Sequence, residues 1–495
     1  MTAEIPEILR SDEVDGASDE VDVLVVGFGM AGACAAVEAA EAGARVLVID
    51  RGGAGGSTSA MAGGHFYLGG GTAVQVATGH ADTAEQMYKY LEAASPDPDP
   101  EKLRLYCDGS VEHFEWLERQ GVRFERSYYP GKAVIQPGTE GLMYTGNEKV
   151  WPFRDVAEPA PRGHKVPVPG DKGGARMVIE LLEKRFRSLG GEIRYETGAT
   201  GLVTDRRGGV VGARWRHFTE SGVIRAAAVV LTAGGYACNP DMVAAYTSRL
   251  AHGVTPLGST YDDGLGIRMG ISAGGATRHM DRAFVSAPFY PPPELLNGIV
   301  VNKLGNRFVA EDAYHGRTAA YVFQQPDAVA YLIVDSESVG TPRYGTVPFI
   351  DGWESVPEME QELDLPEGSL RGTLEEYNHD AARGADPRFH KHPDWLRPLD
   401  VGPWAAYDLT PGKATYVGFT LGGLRTDVDG AVLTETGNPI AGLHAAGACA
   451  SNIAQDSDGY SSGTRLGEGS FFGRRAGRHA AGAARTTTAR GGSRR

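Results

Sequence analysis

The first strongly patterned stretch of the chain changes period abruptly. Residues 21–26, VDVLVV, are almost continuously apolar, as a strand covered on both faces requires. Glycines interrupt the run, and an alanine-rich stretch of helical character follows, stopped by Gly43. A second apolar run, ARVLVID, ends at Asp50. The pattern predicts strand, helix and parallel strand in succession. In residues 82–125, EQMYKYLEAA and LYCDGSVEHFEWLERQGVRF space their apolar positions about one turn apart and predict helix. GARMVIELLEKRFRSLG reads as an amphipathic helix with a glycine stop, and GEIRYETGATGLVTD, GVVGARWRH and VIRAAAVVLTAGG read as strands. Residues 126–170, rich in proline, glycine and aromatics, predict irregular structure placed to cover a ligand.

Between 276 and 404 the pattern changes to proline clusters, more charge and two helical stretches. We expect an α/β fold: a Rossmann-like domain over 21–275 and 405–482, carrying an inserted α+β domain over 276–404. The acidic residues 1–20 and the basic tail 483–495 are expected to be disordered. The 495 residues, 41% hydrophobic and 22% charged, suit two or three domains with buried cores. A net charge of −15 argues against nucleic acid and anionic membrane as partners. The four cysteines are far apart, the N-terminus lacks a signal-peptide pattern, and no apolar run is long enough to span a membrane. A reduced, cytoplasmic protein is expected. His390 and His392 lack further clustered ligands, so no metal site is expected.

Gly27, Gly29 and Gly32 stand in GxGxxG spacing, after a strand and at the opening of a helix, with Asp50 about 20 residues on. Gly27 makes the turn, Gly29 admits a pyrophosphate, Gly32 lets helix pack on strand, and Asp50 can accept from a ribose hydroxyl. Met30 and Ala31 fall in the same turn, and Arg51 follows the acid. The next run, RGGAGGSTSAMAGGHFYLGGGT, crowds Gly56, Ser57, Thr58, Met61, Ala62, Gly63 and Gly64 together. Such a run has few side chains for a core but suits backbone lying against a flat ring system.

These motifs, with VVLTAGGYACNP, DDGLGIRMGISAGG, VNKLGNRFVAED, GFTLGGL, GLHAAGACA and GTRLGEGSFFGRRAG, occur in one order from about residue 21 to 480. In that order the chain resembles the flavoprotein family of fumarate reductase, succinate dehydrogenase and 3-ketosteroid dehydrogenases. HFYLGGGT, CDGSVEHFEWL, PAPRGH, AEDAYHGR and GYSSGT resemble the bacterial 3-ketosteroid dehydrogenases, especially the Δ4-(5α) type. The resemblance implies FAD, with Ala233, Gly234, Asp263 and Gly447 among its contacts. It also implies that the loop and helix start carrying Leu466, Gly467, Gly469 and Ser470 lie near the pyrophosphate and flavin. Thr58 or a neighbour stands where one type of member attaches flavin through histidine, so the FAD is expected to be non-covalent.

The same resemblance places Tyr460 and Ser462 in a catalytic cluster, lets the Gly463 N–H approach a ketone oxygen, and makes Tyr314 the base. Free tyrosine has a pKa of about 10, so Arg317 or His315 is expected to assist it. Phe66, Tyr67, Tyr144 and Phe419 suggest a pocket for a bulky apolar ligand. Arg465 has three readings: an ion pair with Glu468, a flavin contact, or a grip on a substrate carboxylate. Arg162 and His164 either line the site or pin the irregular segment. The expected activity is dehydrogenation of a C–C bond beside the ketone of a 3-ketosteroid or similar polycyclic substrate, with an unidentified electron partner. The alternatives are an ene-reductase of enones or unsaturated acids and a non-catalytic flavin protein.

Overall fold

A computed structural model describes residues 4–14, 16–251 and 253–492. The strand Asp19–Val26 lies inside a nine-stranded sheet, with Val46–Ile49 parallel on one side and Glu220–Leu231 parallel on the other. Glu192–Arg194 extends the sheet beyond Val46–Ile49. Glu220–Leu231 pairs antiparallel with Val210–His217 along its first half and parallel with Pro439–Ala445 at its end. Val23, Leu24 and Val25 have no exposed surface, as their unbroken apolar run requires.

The predicted helix, Met30–Glu41, covers the sheet and is itself covered by the last helix, Thr464–Gly492. The two approach closely because Gly473 and Gly477 face Ala31 and Ala35. A Cβ at either glycine would overlap a backbone carbonyl oxygen of the first helix. Gly32 does the same between helix and sheet, packed on the Gly27 carbonyl.

A second sheet, wholly antiparallel, runs Ile299–Asn302, Ala330–Asp335, Trp404–Asp408, Phe349–Trp353. The helices Val356–Glu362 and Ser369–Ala381 cover it through Met359, Leu370, Leu374 and Tyr377. Its strand Trp404–Asp408 runs past the boundary drawn at 404 from composition, because that strand is as apolar as those of the larger sheet. A three-stranded sheet of Val254–Pro256, Tyr416–Thr420 and Ala283–Ser286 lies across the expected boundary at 275.

Three expectations need correction. Residues 126–170 are not wholly irregular: Gly163–Lys165 pairs with His65–Tyr67 and Leu142–Met143. Strands of two or three residues are too short to show alternation in sequence. The acidic N-terminus is not disordered throughout, since Leu9–Arg10 adds to the sheet edge at Val203–Thr204. Backbone partners offered by a sheet edge leave no trace in composition. The last helix continues through most of the predicted tail, to Gly492, because alanine and arginine extend a helix already nucleated by packing. Of the two expected disordered termini, residues 1–3, 15 and 493–495 lie outside the described residues. Among the described residues, no helix is long and apolar enough to cross a membrane.

Gly473→Val should force the first and last helices apart. Overpacking of this kind costs about 1–3 kcal/mol. A lowered thermal transition of the FAD-loaded protein is the expected outcome, and an unchanged transition would refute the close-packing account.

Candidate active site

One cavity of about 610 Å³ runs from the glycine turn after the first strand to the aromatic residues of the three-stranded sheet. Gly27, Gly29, Met30, Ala31, Asp50 and Arg51 line one end. The Asp50 carboxylate accepts from the N–H groups of Phe28 (2.5 Å) and Gly52 (2.7 Å), which fix it beside the turn. Burial raises its pKa, and those two N–H groups oppose the shift. Ser59 accepts from the Met30 N–H at 3.2 Å, tying the helix start to the glycine-rich run. That run contributes Gly56, Ser57, Thr58, Met61, Ala62 and Gly63 to the wall. Ala233, Gly234, Gly447, Leu466 and Gly469 complete the middle of the cavity.

These residues fit a dinucleotide. A Cβ at Gly29 would lie 3.2 Å from Ser59 Oγ, and one at Gly447 would lie 2.7 Å from the Ala31 Cβ, so both glycines keep the cradle open. Arg51 spans the edge of the cavity, paired with Asp263 at 3.0 Å and bonded to the Tyr261 carbonyl at 3.0 Å. Asp263 therefore acts through Arg51 and does not itself line the cavity. Its neighbour Asp262 does line it, with its pKa pushed up to about 6 by burial. Two adjacent acids in DDG point to different surroundings, and the sequence offered no way to choose between them.

Four other expected cofactor contacts lie behind the wall. Gly32 is a packing residue, as described above. Gly64 packs on Val166 and the backbone at Gly174. Gly467 packs against Tyr106. Ser470 donates to the Leu466 and Gly467 carbonyls and pairs with His113 at 2.8 Å.

At the other end, Tyr314, Tyr460, Ser462 and Gly463 come together, although Tyr314 belongs to a distant segment of the chain. The Tyr314 and Ser462 hydroxyls are 2.7 Å apart. Phe284 stacks on Phe419 with ring centroids 4.9 Å apart and lies 4.6 Å from the Tyr460 ring. Val417, Pro288 and Ile135 extend this apolar wall. Phe284 was not anticipated, since its strand carries no motif. Burial raises the Tyr314 hydroxyl well above its ordinary value of 10.0, and the neighbouring Tyr460 adds to the shift.

The expected helpers of Tyr314 do not act as supposed. Arg317 turns away to Asp458 (2.6 Å) and does not line the cavity. His315 lines the cavity, but its Nδ1 is paired with Ser286, and burial lowers its pKa to about 3. It is a neutral imidazole.

Phe66, Tyr67 and Tyr144 are not in the cavity wall. Phe66 and Tyr67 form the strand on which the loop carrying Tyr460, Ser462 and Gly463 rests. The Tyr67 N–H donates to the Gly463 carbonyl at 3.1 Å. Gly463 has φ +97°, and a Cβ there would lie 2.8 Å from Tyr67 N. Glycine is thus required by a backbone crossing as well as by any ligand. Tyr144 hydrogen-bonds the Pro159 carbonyl at 3.3 Å. Arg162 is fully buried and holds Asp82 through two bonds of 2.7 and 2.9 Å, so it pins its segment. His164 does likewise through Thr72 at 2.7 Å.

Arg465 lines the cavity with its charge already answered. It donates to Glu468 at 2.6 Å and to the Thr420 carbonyl at 3.3 Å. The second Glu468 oxygen accepts from the N–H groups of Ile453 (2.7 Å) and Ala454 (2.9 Å). The ion-pair reading is the one the geometry carries. Arg465→Ala leaves Glu468 buried and unpaired, a loss worth about 3–5 kcal/mol in buried pairs. Thermal denaturation should show a large drop for Arg465→Ala and a smaller one for the double variant Arg465→Ala/Glu468→Gln. Gly29→Val should weaken FAD binding severely, measured as recovery of quenched flavin fluorescence on titration. Unaltered affinity would remove the cradle from the nucleotide site.

Comparison with known proteins agrees with the cradle. The solved structure of 3-ketosteroid-Δ4-(5α)-dehydrogenase from Rhodococcus jostii RHA1, in complex with 4-androstene-3,17-dione, is 40% identical. The match covers 96% of this chain and 99% of that one, with a TM-score of 0.91. The 3-oxo-5-alpha-steroid 4-dehydrogenase of Comamonas testosteroni is 28% identical over 90% of this chain and 95% of its own. The vinyl phenol reductase of Lactiplantibacillus plantarum is 26% identical over 94% and 97%. The FAD binding domain family model matches residues 22–466, from within the strand Asp19–Val26 to the start of the last helix. With that match and the glycine-lined cradle it describes, the chain belongs to the FAD-binding-domain flavoproteins.

Proposed function

We propose that this protein is an FAD-dependent dehydrogenase that introduces a C=C bond beside the ketone of a 3-ketosteroid or a similarly bulky polycyclic ketone. The observation that carries the reading is the Tyr314–Ser462 hydroxyl pair in an aromatic wall, continuous with the nucleotide cradle. The likeness to a ketosteroid dehydrogenase over 96% of the chain supports it. Bound FAD supplies hydride acceptance at N5. Around it, the chain's residues do the rest. Tyr460 and the Gly463 N–H hold the ketone oxygen, where negative charge develops. Tyr314, in its phenolate form and hydrogen-bonded by the Ser462 hydroxyl, takes the proton from the neighbouring carbon and becomes the neutral phenol. Phe284 and Phe419 exclude water and position the apolar rings.

The neutralised Arg465 favours a neutral substrate over a carboxylate, because an acid would have to displace Glu468. We further propose that the FAD is held without a covalent bond, with Thr58 bonded instead to the Ser259 N–H at 3.0 Å. The electron acceptor is a separate, unidentified partner. A reduced, cytoplasmic setting is consistent with four free cysteines.

Anaerobic addition of saturated 3-ketosteroids should bleach the oxidised flavin band, and Tyr314→Phe should slow the bleaching by about 10²–10⁴-fold. No bleaching, with fast reoxidation of reduced enzyme by enones, would make the protein an ene-reductase. The raised Tyr314 pKa sets the sign of the pH effect. The hydroxyl stays protonated through neutral pH, so flavin reduction should accelerate as pH rises and reach no plateau below its ordinary value of 10.0. A plateau near neutrality would show that another group accepts the proton.

A further inference from the structure

We propose that Asn147 is a positioning residue that sets the separation between Tyr314 and the catalytic loop. This inference rests on the dehydrogenase reading above. Asn147 is fully buried and touches neither end of the cavity wall. Its Oδ1 accepts from the Tyr314 N–H at 2.8 Å, and its Nδ2 donates to the Asp458 carbonyl at 3.1 Å. One amide group thus grips both segments that carry the reacting hydroxyls. The orientation of the amide is unambiguous, because an N–H only donates and a carbonyl only accepts.

The grip is itself held. The Asn147 N–H donates to Tyr90 Oη at 2.9 Å, and Tyr90 Oη pairs with Ser461 Oγ at 2.9 Å. The Thr145 carbonyl accepts from the Ser462 N–H at 2.9 Å. Gly146 lies so close to the loop that a Cβ would lie 2.7 Å from the Ser461 Cβ and from Tyr90 Oη. Residues 145–148 are therefore inlaid along the catalytic loop, and the Asn147 side chain makes the hydrogen bond from it to Tyr314.

Tyr314 needs this anchor. It stands at the cap position of the eight-residue helix His315–Val322, so its N–H has no acceptor within the helix. Besides Asn147, the Arg317–Asp458 ion pair joins the two segments, but Asp458 is partly exposed and its end of the pair is screened. The amide is planar, short and buried. It fixes where Tyr314 emerges relative to Asp458, and hence the 2.7 Å separation of the Tyr314 and Ser462 hydroxyls.

The test is stopped-flow reduction of the FAD-loaded enzyme by a saturated 5α-3-ketosteroid, in wild-type and Tyr314→Phe backgrounds. Asn147→Leu should lower the reduction rate by about 10²-fold, the cost of misplacing a reacting group by roughly 1 Å. Steroid affinity, read from the flavin spectral shift, should change little. In the Tyr314→Phe background the same substitution should have far less effect, because there is no base left to misplace. Equal factors in both backgrounds, or an unchanged rate, would overturn the inference while leaving the dehydrogenase reading intact. A wild-type flavin that no ketosteroid reduces would overturn both. If Asn147→Leu loses FAD, two milder variants take its place. Asn147→Ala removes both bonds with no new group, and Tyr90→Phe removes the acceptor of the Asn147 backbone N–H. Each should show the same background dependence, Tyr90→Phe with a smaller factor, and equal factors in the wild-type and Tyr314→Phe backgrounds would overturn the proposal.

Discussion

The close docking of the last helix on the first is the constraint from which the active site follows. Gly473 and Gly477 bring the Thr464–Gly492 helix onto the carbonyl groups of Ala31 and Ala35. The first helix begins at the nucleotide turn, and the last begins where the loop carrying Tyr460, Ser462 and Gly463 ends. Contact along their length therefore places Tyr460, Ser462 and Gly463 at a set distance from Gly29 and Asp50. A second crossing, Gly463 against the strand His65–Tyr67, fixes the loop from below. Much of the glycine richness of this chain is a record of such crossings.

Charge at the aromatic end of the cavity is arranged to be quiet. Arg465 is matched by Glu468, whose second oxygen is taken by two backbone N–H groups. His315 is kept neutral by burial. What is left to meet a substrate is a small set of hydroxyls in an aromatic wall. Such a site discriminates through shape and one polar oxygen, not through net charge. Burial in it also makes the Tyr314 hydroxyl hard to ionise.

The strand–glycine–helix unit, the amphipathic helix at 174–188 and most strands of the large sheet were legible because each is a local pattern with its own period. The cofactor end of the site was legible for the same reason: turn, helix start and acid are neighbours in sequence. The substrate end was legible only through resemblance. There Tyr314, Tyr460, Ser462 and Phe419 line the cavity, and Phe66, Tyr67, Tyr144 and Arg317 do not. An aromatic in a glycine-rich run has the same letter whether it faces a ligand or supports a loop.

Sequence alone determined that the chain would build a dinucleotide cradle, because sterics demand glycine at the turn and the N–H groups around it are answered by an acid at the strand end. It also carried the apolar periodicity that commits the large sheet. Tertiary structure alone decided which of Asp262 and Asp263 meets the cavity, that Arg465 is spent on Glu468, and that Asn147 reaches across to Tyr314. Each of these depends on the distance and direction between segments far apart in the chain, and no local pattern encodes either quantity.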